Sequence, residues 1–208
     1  MWAGVERRAV RSLAGLLPPD VRVQAARRVP PEFDARFSAL WRRYSYRVCD
    51  DPSQADPLRR RDTVTYRSPV DVAAMNAAVA ALLGEHDFAA YCRRRVGVTT
   101  VRTLLRMEWL REHQALAVAT VVATAFCHNM VRAMVGALLS VGDGRKPVTW
   151  PGEVLARGIR DPAVNVAPPH GLCLEEVGYP AARAASPESA ECSHVDRLLC
   201  DLGEHAAE

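Results

Sequence analysis

The sequence predicts an α+β domain, an antiparallel sheet with helices on one face in the split βαβ order. Three observations point there. Stretches with strand-like alternation occur at 40–49, 99–110 and 115–126, and a last one closes at 171–180. Two apolar stretches of helical period, 68–84 and 126–142, fall between them. The resulting order is strand, helix, strand, strand, helix, strand. A chain of 208 residues with 49% hydrophobic content can bury one sizeable core.

Taken in order, "VERRAVRSLAGLL" has apolar residues at Val5, Ala9, Leu13 and Leu16, a helical stripe stopped by Pro18-Pro19. Leu40 to Cys49 reads as a strand with Arg42, Tyr44, Tyr46 and Val48 on one face; Trp41, Arg43, Ser45 and Arg47 lie on the other. "DPSQADPLRRRD" is a polar loop punctuated by proline. "SPVDVAAMNAAVAALLG" is a helix with Ser68 as cap, Pro69 in the first turn and Gly84 just beyond its end. "TTVRTLLRMEWL" puts Val101, Leu105, Met107 and Trp109 on one side and pairs with "ALAVATVVATAF" across the polar turn "REHQ". "FCHNMVRAMVGALLSVG" returns to helical period, with a core stripe of Phe126, Met130, Ala133, Ala137 and Val141. A short helix starts at Pro151, and "GLCLEEVGYP" is the final strand. Residues 181–208 are small and polar, a loose tail with one short helix. A sheet of this kind leaves its other face free, and RNA-recognition modules stack bases on that face.

No run approaches eighteen apolar residues, so no membrane span is expected. The first residues, "MWAGVERRAVRSLAG", lack the apolar core and cleavage site of a secretory signal, which makes the cytoplasm the expected location. Six scattered cysteines (49, 92, 127, 173, 192 and 200) form no C-x-x-C pair; reduced thiols are expected, not a metal site. No glycine-rich phosphate loop and no acyl-transfer constellation is present, and no cofactor is expected.

Charge is uneven. Residues 1–111 hold 20 Lys+Arg against 12 Asp+Glu, and residues 112–208 hold 7 against 12. An arginine-rich half fits a polyanionic partner; arginine standing in for lysine throughout, with Lys146 the single lysine, explains it equally. Tyr44 and Tyr46 are either ordinary strand tyrosines, a stacking platform, or phenols used in proton transfer. His128 and Arg132 lie four apart on a helix face, a solvated polar pair or a grip for a carboxylate or phosphate.

With these residues in view, the chain resembles the TruA-type tRNA pseudouridine synthases. "FDARFSALWRRYSYRV", "LLGEHDFAAY", "VRTL", "AFCHNMVRAMVGALLSVG" and "APPHGLCLEEVGYP" are similar to that family's blocks in their order, from about residue 2 to 180. The resemblance implies the C-terminal pseudouridine synthase domain fold. It also implies an isomerase that turns uridine into pseudouridine in the anticodon stem-loop of tRNA (positions 38–40 in tRNA numbering), acting as a homodimer. An aspartate attacks the nucleotide, the glycosidic bond breaks, and the uracil rejoins through carbon 5. The resemblance assigns Tyr44 to stacking on the flipped base and to removal of the C5 proton, and Arg132 to pairing with the aspartate. Arg36, Arg42, Arg43 and His128 are the further substrate-binding candidates.

The family's aspartate belongs to a G-R-T-D-A-G motif in an N-terminal domain, and no such motif occurs in these residues. Asp34 and Asp143 lie in other blocks. The resemblance therefore implies that residues 1–24 are the end of that domain, 25–180 the C-terminal domain and 181–208 the tail. The chain alone is expected to be inactive. A non-catalytic tRNA-binding module is the alternative.

Overall fold

The computed structural model describes residues 3–93, 97–113 and 115–180, so the expected tail lies outside the described residues. The chain divides into two compact units, Met1–Ser38 and Ala39–Glu208, each described by itself.

In the first unit, helix α1 (Ala3–Leu16) stops where the proline pair begins. Its expected stripe is not packed: Ala9, Leu13 and Leu16 are all exposed. Asp34 organises the turn that ends the unit, accepting from the amides of Arg36 at 2.7 Å and Phe37 at 2.9 Å. Those two bonds hold its carboxyl below the usual carboxylate range.

In the second unit, β1 (Trp41–Cys49) pairs antiparallel with β5 (Leu116–Ala123) on one side and β6 (Leu172–Gly178) on the other. β5 pairs with β4 (Val101–His113). These four strands, with α2 (Val72–Val79) after β1 and α3 (Met130–Gly142) after β5, reproduce the predicted split βαβ order. Two short strands complete a mixed, six-stranded sheet: β2 (Val64–Thr65), parallel to β1, and β3 (Gly84–Asp87), on the far edge of β4. Runs of two and four residues are too short for alternation to reveal. Helix α4 (Trp150–Arg157) carries proline in its first turn, as expected.

Four boundaries differ from the sequence reading. α2 is capped by Asp71, which accepts from the amide of Ala74 at 3.0 Å, and not by Ser68. The preceding amide, Val70, is held at 2.8 Å by the Asp50 carboxylate and cannot enter the helix. Gly84 opens β3 with φ of 96° instead of merely following a helix. β4 runs on through "REH", because Arg111 pairs with Ala117 and His113 with Leu116. It also carries a bulge at Leu105, since Leu104 faces Ala123 and Arg106 faces Val122. One extra residue reverses the alternation, so Leu104 is buried with Met107 and Trp109 while Val101 is exposed. Finally, α3 starts at Met130, not Phe126, because Asn129 takes a left-handed conformation, φ 67°.

The core lies between the sheet and α2, α3 and α4, around Trp109, Tyr46, Phe88, Met75 and Leu138. The expected stripe of α3 is buried at Met130, Ala133, Ala137 and Val141, yet the helix is buried nearly all round. Arg132 is its one residue that is not.

Tyr46 and Val48 are fully buried, so the β1 face that also bears Arg42 and Tyr44 is the one covered by helices. Of the alternatives left open for this pair, Tyr46 is an ordinary core tyrosine, and the free face bears neither ring. That face carries ion pairs instead, Arg43 to Glu176 and Arg47 to Glu175, both at 2.9 Å. A register shift opposite Arg43/Tyr44 makes Glu175 an extra residue of β6, so consecutive glutamates serve arginines of one face.

At the other end of β1, Asp50 is 4% exposed and receives Arg111 through two nitrogens, at 2.9 and 2.8 Å. Burial alone would raise its pKa; the bonds from Arg111 and the Val70 amide outweigh that and lower it. With its folded pKa below its unfolded one, Asp50 stabilises above about pH 4 and that contribution is lost as pH falls through the folded value. Asp50→Asn is expected to cost about 2–3 kcal/mol at pH 7. It should also reduce the loss of stability below pH 4. Urea unfolding at pH 7 and pH 3 checks both, and an unchanged acid profile would refute the assignment.

Candidate active site

The cleft at the start of α3 is assembled from three separate stretches. β1 supplies Tyr44, the loop 124–129 supplies Phe126, Cys127, His128 and Asn129, and the segment entering β6 supplies Pro169 and Leu172. Arg132 lines it from α3, and its open volume is about 470 Å³. The half-buried Tyr44 ring meets Phe126 edge to face, centroids 5.1 Å apart at 89°. Among the described residues nothing hydrogen-bonds its hydroxyl. The site thus offers one flat ring fixed by an aromatic neighbour and one guanidinium.

Arg132 is held from behind. Its Nε donates to the carbonyl of Ala167 at 2.6 Å and its Nη1 to Asn129 Oδ1 at 3.4 Å. Among the described residues no Asp or Glu forms an ion pair with it, whereas Arg43, Arg47, Arg59, Arg106, Arg111, Arg145 and Arg157 all have such partners. Asp143 cannot serve. It sits eleven residues further on, at the far end of α3, roughly 16 Å away at 1.5 Å per residue. There it accepts from Tyr66 Oη at 2.5 Å and Arg145 Nε at 2.7 Å. Burial would raise its pKa, but Tyr66 and Arg145 hold it below the usual carboxylate range.

The predicted site residues separate accordingly. Tyr44, Arg132 and the exposed His128 share the cleft. His128 precedes α3 and is not on its face; its carbonyl accepts from the amide of Arg93 at 3.0 Å. Arg42 donates to the carbonyls of Ala39 and Thr124, at 3.2 and 2.7 Å, bracing the loop that leads to Phe126. Arg43 lies on the opposite sheet face with Glu176. Arg36 belongs to the first unit, where its guanidinium lies over Phe37 at 5.4 Å. Phe126, Asn129 and Ala167 join the site without a signal in the sequence: helical period places Phe126 in the core, and nothing in the spacing of 165–167 points to Arg132.

Tyr46 differs from Tyr44 by two residues and by everything around it. It is fully buried, and its hydroxyl donates to the carbonyl of Pro168 at 2.8 Å. Burial pushes its phenol well above the ordinary range, although the positive charge of Arg132 pulls the other way. Such a phenol is a structural donor. Tyr46→Phe is expected to cost about 1 kcal/mol, read as a lower denaturation midpoint at unchanged slope. No loss of stability would refute that role.

Among the described residues no group of His, Cys, Asp and Glu could hold a metal, and no helix is long and apolar enough to cross a membrane. Cys49, Cys92, Cys127 and Cys173 are unbridged.

Comparison with known proteins identifies the family. A family model described as tRNA pseudouridine synthase matches residues 78–180, which include α3 and β6. The chain is 54% identical to tRNA pseudouridine synthase A of Streptomyces griseus over 95% of its own length and 70% of the relative's. It is 58% identical to that of Frankia casuarinae over 91% and 68%, and 55% identical to that of Streptomyces avermitilis over 87% and 64%. The chain belongs to the tRNA pseudouridine synthase A family.

Proposed function

We propose that this cleft is one wall of a tRNA pseudouridine synthase active site, receiving a uridine flipped out of the anticodon stem-loop in the cytoplasm. Flipping costs a few kcal/mol, and stacking on Tyr44 offsets part of it. Arg132 orients the carboxylate that attacks the nucleotide, and the Tyr44 phenol assists departure of the C5 proton. Residues 25–180 act as the C-terminal synthase domain, 1–24 as the end of the preceding one, and the enzyme works as a homodimer. The observation that carries this reading is the convergence of Tyr44 and Arg132, 88 positions apart, on one cleft. Among the described residues Arg132 has no carboxylate partner, which fits a role in gripping an acid brought by another part of the enzyme. That same feature supports the second reading, a module that binds tRNA without modifying it.

Both readings require tRNA binding, and the first half of the chain supplies the charge. Arg43, Arg47, Arg59, Arg106 and Arg111, five of the twenty arginines in residues 1–111, are engaged with carboxylates, so phosphate contacts are expected chiefly from other arginines of that half. Raising salt from 50 to 200 mM is expected to weaken tRNA binding at least tenfold, which corresponds to about two phosphate contacts. Filter binding or anisotropy at the two salts measures this. Absence of binding, or binding indifferent to salt, would sink the RNA reading.

A further inference from the structure

Gly136 sits in the middle of α3, where glycine lowers helix stability and no positive φ requires it. The reason is a crossing chain. A Cβ at Gly136 would lie 1.7 Å from the carbonyl oxygen of Asn165 and 2.9 Å from its carbon. The segment 164–168 therefore runs against the bare backbone of α3, one turn beyond Arg132.

That segment clips the arginine twice. The amide of Ala167 donates to the main-chain carbonyl of Arg132 at 3.0 Å, and the Nε of Arg132 donates back to the carbonyl of Ala167 at 2.6 Å. The segment is itself anchored on both sides, by the buried side chain of Val164 and by the Tyr46 hydroxyl on the carbonyl of Pro168. Pro168 and Pro169 stiffen its exit.

We propose that residues 164–168 are the positioning strap of Arg132, and that Gly136 is a positioning residue because only a missing side chain lets the strap reach it. The chemical consequence is specific. With Nε spent on Ala167, a carboxylate cannot take the side of the guanidinium formed by Nε and Nη2. It meets the end formed by Nη1 and Nη2, with Asn129 Oδ1 steadying Nη1. The strap thereby fixes the plane and the direction from which the acid is gripped. This inference rests on the reading of Arg132 as the carboxylate-orienting group.

The test follows the Arg132 Nε–H proton of the 208-residue chain by ¹H–¹⁵N NMR, without tRNA. In the native chain the signal is expected to be shifted and slow to exchange. Gly136→Ala should lift the strap and speed that exchange by about tenfold or more. Asn165→Ala should leave it unchanged, because it is the main-chain carbonyl of Asn165 that faces Gly136 and the residue itself is exposed. Val164→Ala, which trims the anchor and changes no residue of α3, should give an intermediate acceleration and decides the matter if Gly136→Ala does not fold. Native protection in folded Gly136→Ala, or in Val164→Ala, would overturn the proposal; a strap that merely stabilised the fold would lower the melting temperature and leave this signal in place. A separate arm keeps the two ideas apart. Full turnover by Arg132→Lys in an active enzyme would refute the carboxylate fork, whatever the exchange rate shows about the strap.

Discussion

Purified 208-residue chain, incubated with unmodified tRNA, is expected to form no pseudouridine above the level given by its Arg132→Ala variant. On the proposed mechanism, breaking the glycosidic bond needs a carboxylate nucleophile, which neither the Tyr44 phenol nor the Arg132 guanidinium supplies. No G-R-T-D-A-G occurs in these residues. The best-placed buried or paired acids among the described residues are committed elsewhere: Asp50 to Arg111, Asp143 to Tyr66 and Arg145, Glu175 and Glu176 to arginines of the opposite sheet face. Asp34 closes a turn in the first unit. If the nucleophile is not among these residues, the covalent step is lost altogether, so the expected loss is near the limit of detection, beyond the roughly 10²–10⁴-fold of a lost general acid or base. Carbodiimide labelling reads the product. Pseudouridine above the control would mean that a carboxylate within the 208 residues attacks, and that the cleft as described is not the complete reacting site.

The large elements were legible because each is long enough to show its period. The alternation of β1, the apolar run of β5 and the stripe Met130–Ala133–Ala137–Val141 all describe faces that the fold buries. Local events hidden from periodicity were not legible. The bulge at Leu105 exchanges the two faces of β4 through a single unpaired residue, and the buried Asp50 withholds the Val70 amide from α2. The direction of β1 illustrates the same limit. Alternation sorts Tyr44 with Tyr46 on one face but cannot say which face the helices cover. The answer comes only from the burial of Tyr46 and Val48. In the site, Tyr44 and Arg132 stood out through resemblance to family motifs. The strap did not, because its grip on Arg132 uses main-chain atoms of Asn165 and Ala167, which no side-chain pattern encodes.

The second large effect is expected at Tyr44, in a chain extended by a domain that bears G-R-T-D-A-G. There Tyr44→Phe should lower turnover by about 10²–10⁴-fold, the range associated with loss of a positioned acid or base. The structure separates this from damage to the fold. The Tyr44 hydroxyl has no hydrogen-bond partner among the described residues, so its removal orphans nothing; stability should stay within about 0.5 kcal/mol. The ring itself stays, still set edge to face on Phe126 at 5.1 Å, so stacking on a flipped base is retained and tRNA affinity should change less than about threefold. Phe126→Ala provides the contrasting case. It removes the ring that fixes Tyr44 while keeping the phenol, and should weaken binding and rate together. Single-turnover kinetics resolve the two, since they report the chemical step apart from tRNA affinity. A Tyr44→Phe enzyme of near-native rate would show that the phenol moves no proton, and would reduce Tyr44 to a stacking surface whose replacement by leucine, not phenylalanine, becomes the informative change.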